Sequence, residues 1–116
     1  MSDENSTPID IAFLKEVIGD DKDFERELFE IFIDNAAKNI ANMKKAMDDG
    51  DSNAWYMASH AFKGASSSIG AFKLSKTMEM AQTSANENND RKSEIIAEVK
   101  EEYAKVEAFI NGILGQ

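Results

Sequence analysis

Apolar residues recur at the helical period along almost the whole chain, in runs separated by short breaks at Gly19–Asp21, Asp48–Asp51, Gly70 and Asn86–Asp90. At about 100° per residue each run makes one apolar stripe, which needs other such stripes to cover it. Asp21 is placed to cap a helix over about residues 22–48, whose deep stripe is Phe29, Phe32, Ala36, Ile40, Met43 and Met47, with Leu28 and Ile33 flanking. Phe24 and Ile31 fall off that stripe, and either meet the first helix or leave an apolar surface near it. The methionines read as adaptable core filling. Asp51 caps the next helix, from Ser52 to near Ile69, with Trp55, Ala58, Phe62, Ala65 and Ile69 on one face. Ser66, Ser67 and Ser68 loosen its last turn, and Gly70 permits a left-handed stop.

The remaining runs fit the same scheme. Ala71 to about Asn86 forms a helix burying Leu74, Met78, Ala81 and Ala85, and the tight turn at Gly70 makes it antiparallel to its predecessor. Asp90 caps a last helix from Arg91 to about Ile113. Its apolar side is Ile95, Ile96, Val99, Tyr103, Val106, Phe109, Ile110 and Ile113 or Leu114, and its solvated face carries Glu98, Lys100, Glu101, Glu102, Lys105 and Glu107. At the other end, Thr7 reads as a cap with Pro8 at the first helical position, opening a short helix that bears Ile9, Phe13, Leu14, Val17 and Ile18. A single proline in the chain agrees with an all-α fold. The expectation is an antiparallel up-down-up-down four-helix bundle with the short N-terminal helix packed across one end. Residues 7–116 form one domain, and residues 1–6 a disordered polar tail.

Charge and composition exclude several kinds of function. With 13 basic residues scattered among 22 acidic ones, for a net charge of −9, the chain lacks the clustered cations that nucleic acid or an anionic membrane surface requires. There is no cysteine for a disulfide, a thiolate metal site or a nucleophile. Asp48, Asp49 and Asp51 have neither the alternating ligands nor the closing glutamate of a calcium loop, so no metal is expected. No apolar run reaches the roughly 18 residues of a membrane span, and the acidic start is unlike a signal peptide. A cytoplasmic protein is expected. The starting methionine and polar Gly115-Gln116 end favour a free-standing one.

His60 is the only histidine. It falls opposite the apolar stripe of its helix, so the imidazole should face water, with Tyr56, Lys63, Gly64 and Ser67 on its side. A glycine inside a helix costs about 1 kcal/mol relative to alanine. At i+4 from His60, Gly64 leaves room for a group approaching the ring, while Lys63 at i+3 sets a cation where a bound anion would sit. A histidine so placed suits a covalently carried anion such as a phosphoryl group; a surface histidine beside a tolerated glycine is the plain alternative. His60 lies ten residues before Gly70 and Gln82 twelve after it, so the hairpin brings Gln82 to about the height of His60.

The run His60-Ala61-Phe62-Lys63-Gly64-Ala65-Ser66, followed by Ile69-Gly70-Ala71, resembles the signature of histidine-containing phosphotransfer (HPt) domains. That signature is His-x-hydrophobic-Lys-Gly-small-small, then hydrophobic-Gly-Ala. Phe24 to Phe32 and Ala46-Met47-Asp48-Asp49-Gly50-Asp51 also resemble that family, so the similarity runs from about residue 9 to about residue 113. Phe62 stands where leucine is commoner and Ala65 where serine is frequent; neither touches the chemistry implied.

The resemblance implies a phosphocarrier of multistep two-component relays. His60 would accept a phosphoryl group from the phospho-aspartate of a receiver domain, or from a hybrid kinase, and pass it to a response-regulator receiver. Lys63 would neutralise the phosphoryl oxygens, Gly64 would admit the receiver's loops, and Gln82 would hydrogen-bond the imidazole or the phosphoryl group. Magnesium would come from the receiver, the partners would be receivers and a sensor or hybrid histidine kinase, and the protein would be a monomer. No nucleotide-binding motif is present, and Ala61 follows the histidine where a kinase dimerisation helix has an acidic residue. Two other readings stand beside it: a bundle that binds and sequesters receivers or kinases without carrying phosphate, and a phosphatase, for which a second acid, base or metal cluster is missing.

Overall fold

A computed structural model describes residues 7–115, and the polar tail expected over residues 1–6 lies outside the described residues. The described chain forms five helices and no strand: α1 (Ile11–Ile18), α2 (Lys22–Asp49), α3 (Ser52–Ser68), α4 (Phe72–Thr83) and α5 (Asn89–Leu114). Four of the five start on a side-chain oxygen that accepts an amide left unpaired by the first turn. Asp10 accepts from Phe13 N at 3.0 Å, Asp21 from Phe24 N at 2.9 Å, Asp51 from Ala54 N at 2.9 Å and Asn88 from Arg91 N at 2.9 Å. Each of these polar side chains therefore fixes a helix phase, and with it the direction of the apolar stripe behind it.

Two caps differ from the expected ones. α1 is capped by Asp10, not Thr7. The extended backbone at Asp10 lets its carboxylate reach Phe13, and buried Ile9 and Leu14 take the N′ and N4 positions of a hydrophobic staple. α5 begins on Asn88, with Asp90 inside its first turn, where its charge favours the helix N-terminus. α4 begins at Phe72, with Ala71 as cap, and stops at Thr83, short of Asn86. Its last carbonyls are taken by side chains: Thr83 and Ser84 hydroxyls each donate to Met80 O at 2.9 Å, and the Trp55 indole donates to Ala81 O at 2.7 Å. Those acceptors would otherwise carry the helix onward.

Helices α2, α3, α4 and α5 close a ring, with α3 against α2 and α4, and α5 against α4 and α2. α3 and α4 run in opposite directions, because Ser67 meets Ser75 near the turn and Tyr56 meets Gln82 far from it. Fully buried Trp55, Phe29, Phe62, Met43, Leu74, Met78, Ile95 and Ile110 fill the centre. The rings of Phe32, Phe62 and Tyr103 meet there with centroids 6.0–6.2 Å apart. Ile40 and Ala65, expected deep, are only half-buried, while Ser59 and Ser66 are buried beside them. The Ser66 hydroxyl bonds back to Phe62 O at 2.8 Å, so its polar atom is satisfied within its own helix. Phe24 and Ile31 are exposed, together with Ile11 and Val17 of α1, so of the two readings for that pair it is the apolar surface that is found.

α1 is pinned to the α3–α4 turn. Gly70 has φ +81°, and its carbonyl accepts from Asp10 N at 2.9 Å. A β-carbon on Gly70 would come within 3.1 Å of both Asp10 O and the Phe13 ring, so only glycine meets the backbone and the space requirement together. The Phe13 ring then meets Phe72 edge-on at 5.1 Å. Among the described residues no helix is long and apolar enough to cross a membrane.

Burial raises the Tyr103 phenol to about 12, with the nearby Glu107 carboxylate adding to the effect. An unfolded tyrosine titrates near 10, so between about pH 10 and 12 the folded state holds a proton that the unfolded state releases. The stability this proton contributes is present below about pH 10 and is lost as pH rises toward 12. Chemical denaturation across that range should show stability falling, with a shallower slope for Tyr103→Phe.

Candidate functional site

His60 sits in the middle of α3 on its solvent side, and its exposure is as the helical phase requires. The apolar face beneath it, Trp55, Ala58 and Phe62, is buried and anchors the helix. The imidazole nitrogens have no hydrogen-bond partner among the described residues. One contact orients the ring: Tyr56, one turn earlier, lies parallel to it, with 4° between the planes and 6.0 Å between centroids, an offset stack.

Helix α4 supplies two polar side chains to the residues that flank His60. Gln82 Nε2 donates to the Tyr56 hydroxyl at 3.0 Å. Glu79 Oε2 lies 3.5 Å from Lys63 Nζ. The expected height of Gln82 is therefore right, but its amide meets the tyrosine rather than the imidazole. The two helices face each other with a phase that puts position 82 over position 56. Its Oε1 is buried with no partner among the described residues, so there the amide is held on one side only.

Lys63 is about one-third exposed and Glu79 about two-thirds, at 34% and 60%, so this ion pair is well solvated. Such pairs contribute little to stability, about 0–1 kcal/mol. The cation that the sequence sets at i+3 from His60 is thus paired with Glu79. Glu79 is the site residue that the sequence reading missed. The signal was available: Lys63 lies seven residues before Gly70 and Glu79 nine after it, the same hairpin arithmetic that placed Gln82.

Gly64 is exposed, and a β-carbon built on it meets nothing within 4 Å. Nothing in the fold requires a glycine there. The space it clears opens outward, next to His60. Ser67, expected on the same side, is turned to α4 instead, with its hydroxyl 2.6 Å from that of Ser75. At i+7 it stands two turns below the imidazole and serves the helix pairing. On the opposite flank, Met57 is 58% exposed and Ala61 is exposed, bordering a groove between α2 and α3 that Asn39, Asn42 and Asp49 also line.

The three aspartates near the α2–α3 turn are each engaged. Asp48 pairs with Lys44 at 3.0 Å, Asp49 with Lys45 at 2.7 Å, and Asp51 caps α3. The Asp49 carboxylate, through its hydrogen bond and its charge, pushes the Lys45 ammonium pKa up. Among the described residues no group of three or more His, Cys, Asp or Glu side chains is arranged to hold a metal ion.

Compared with protein-family models, the chain matches the Hpt domain over residues 27–109, a span that takes in His60, Lys63, Gly64, Glu79 and Gln82. Neither a curated protein nor a solved structure gave a match.

Since Gly64 has helical neighbours and open space around it, Gly64→Ala should raise the stability of the fold by up to about 1 kcal/mol, readable as a higher midpoint in thermal or urea unfolding. A lower midpoint would show that the glycine is needed by the fold itself.

Proposed function

This chain belongs to the Hpt domain family, and from that premise we propose that His60 is the phosphoacceptor through which it carries a phosphoryl group between receiver domains. Hpt domains serve phosphotransfer in two-component relays and are carriers without an ATP site of their own. The observation that carries the assignment to His60 is an exposed imidazole whose nitrogens have no hydrogen-bond partner among the described residues, stacked on Tyr56 and bordered by the open space at Gly64.

In this reading the Nε2 lone pair attacks the phosphorus of a receiver's aspartyl phosphate. The N–P bond forms as the P–O bond to aspartate breaks, and the carboxylate leaves with the electron pair. Nδ1 keeps its proton, so the ring ends as an N-phosphorylated imidazolium and no general base is needed. The reverse step delivers the group to another receiver's aspartate. Such transfer has little covalent demand on the protein and depends on positioning and charge. Lys63 neutralises the phosphoryl oxygens. Tyr56, held by Gln82, sets the plane of the ring, and Gly64 admits the receiver's loops. Magnesium belongs to the receiver. The kinase that feeds the relay is a sensor or hybrid histidine kinase.

The architecture that goes with this function is an up-down-up-down bundle acting as one unit over residues 7–116, a cytoplasmic monomer. Its value to the chemistry is stiffness: the acceptor rides on a helix anchored along its whole buried face.

The test mixes the protein with magnesium and radiolabelled phosphorylated receiver domains. Acid-labile, base-stable label is expected on the wild-type chain and none on His60→Gln; label persisting on that variant overturns the assignment. A receiver that binds both proteins and labels neither would mark a sequestering bundle. In the same assay Gly64→Gln should slow transfer by about tenfold or more, the penalty expected for a misplaced approach, with its helical circular dichroism unchanged. An unaltered rate would remove the access role.

A further inference from the structure

Two of the rungs that α4 makes with α3 bracket His60, Tyr56–Gln82 and Lys63–Glu79, and the ion-paired rung is not explained by the carrier function as it stands. Lys63, i+3 from His60, is the cation within reach of a group on the imidazole. In the resting protein its ammonium faces Glu79, 3.5 Å away. Glu79 lies one turn before Gln82 on the same face of α4, so the helix that steadies the imidazole through Tyr56 also sets an anion at the edge of the same site. An anion beside a phosphate carrier opposes the loaded state. The pair is neutral as it stands. Once His60 carries a phosphoryl dianion, one ammonium has two anionic claimants, and the nearby carboxylate repels the new arrival.

We propose that Glu79 is a positioning residue of the phosphotransfer site: it holds Lys63 while His60 is empty and yields the ammonium when His60 is phosphorylated. This rests on the reading of His60 as the phosphoacceptor. Glu79 makes and breaks no covalent bond; the N–P bond forms and the P–O bond breaks as already described, and only the ion pair is exchanged. The exchange needs no repacking, since both side chains lead into solvent. Its consequence is thermodynamic. By raising the free energy of the loaded carrier relative to the empty one, Glu79 lowers the share of phosphate that rests on His60 and favours onward transfer. The resting pair also keeps Lys63 over the α3–α4 seam, ready beside the histidine rather than ranging through water.

The experiment measures how label divides at equilibrium between this protein and a magnesium-loaded receiver domain that labels it. Glu79→Gln should shift the division toward the carrier by about two- to fivefold, the range set by exposed charge pairs. Glu98→Gln, the same charge change on the solvent side of α5, should leave it where it was. In a Lys63→Met background the effect of Glu79→Gln should shrink, because the ammonium under competition is gone. High salt should shrink it too. A wild-type protein labelled on His60 with an equilibrium indifferent to Glu79→Gln overturns the assignment of Glu79 alone. So does a shift of the same size with and without Lys63. A wild-type protein that takes no label removes the phosphoacceptor reading, and this proposal falls with it.

Discussion

The pairing of α3 with α4 is the constraint on which the rest depends, and it is set at Gly70. A positive φ there and the absence of a β-carbon let the chain reverse while Asp10 and Phe13 close over the turn. Once the reversal is fixed, the register of the two helices follows by counting at about 1.5 Å per residue. Ser67 falls beside Ser75, Lys63 beside Glu79, and Tyr56 beside Gln82. The site is therefore a product of a turn ten residues away from its histidine. A slip of one residue would rotate each partner by about 100° and separate all three pairs.

Trp55 keeps that register from drifting. Its indole is fully buried, and its one donor reaches the Ala81 carbonyl at the end of α4, which also accepts the backbone N–H of the cap residue Ser84. Burying an indole without a partner for its N–H would be costly, so the large apolar gain is available only in the register that supplies the acceptor. Lys92 of α5 closes the other side, 4% exposed, with its ammonium 5.2 Å from the centre of the indole ring. The lysine stem covers apolar surface, and the charge lies against the ring's negative face. One side chain thus ties α3 to α4 by a hydrogen bond and to α5 by a cation–π contact. Both ties lie on the helix that carries His60, at the residue just before the stacked tyrosine.

Much of this was legible in the sequence because periodicity and punctuation speak directly of local structure. The aspartates at 21 and 51 and the glycines at 50 and 70 set helix ends where the caps form. The exposure of His60 followed from its phase against Trp55, Ala58 and Phe62. What was not legible depends on choices between near-equal neighbours or on phase across helices. Thr7 and Asp10 are both good caps, and the choice fell to the buried staple of Ile9 and Leu14. Asn88 and Asp90 pose the same ambiguity. The end of α4 was set by hydroxyls and an indole competing for carbonyls, which no apolar pattern reports. Counting brought Gln82 near the histidine's turn of α3, but that its amide meets Tyr56 and not the imidazole was not legible, because height comes from counting and contact from helix rotation. Buried Lys92 was invisible for a related reason: a lysine reads as solvated until a ring is known to lie beneath it.

A carrier that must give up what it accepts has reason to hold it loosely, and on the proposed reading of His60 as the phosphoacceptor the site's solvation would serve that end. Lys63 is at the surface, where water and salt weaken its attraction for any anion. The same ammonium buried against the imidazole would bind a phosphoryl group far more tightly and turn the carrier into a trap. Rigidity and weak electrostatics are therefore separated in space. The stiffness comes from the buried face of α3, where Trp55, Phe62 and Ile69 are locked in the core. The opposite face, where one stacked ring, one ion-paired ammonium and one glycine meet water, is where the proposed chemistry would take place. Gly64 shows the division most plainly, since its lack of a side chain weakens the helix by about 1 kcal/mol and relieves no contact inside the fold. That loss is tolerable because the buried face already holds the helix, which leaves the exposed face free, on the proposed reading, to be shaped by what approaches it.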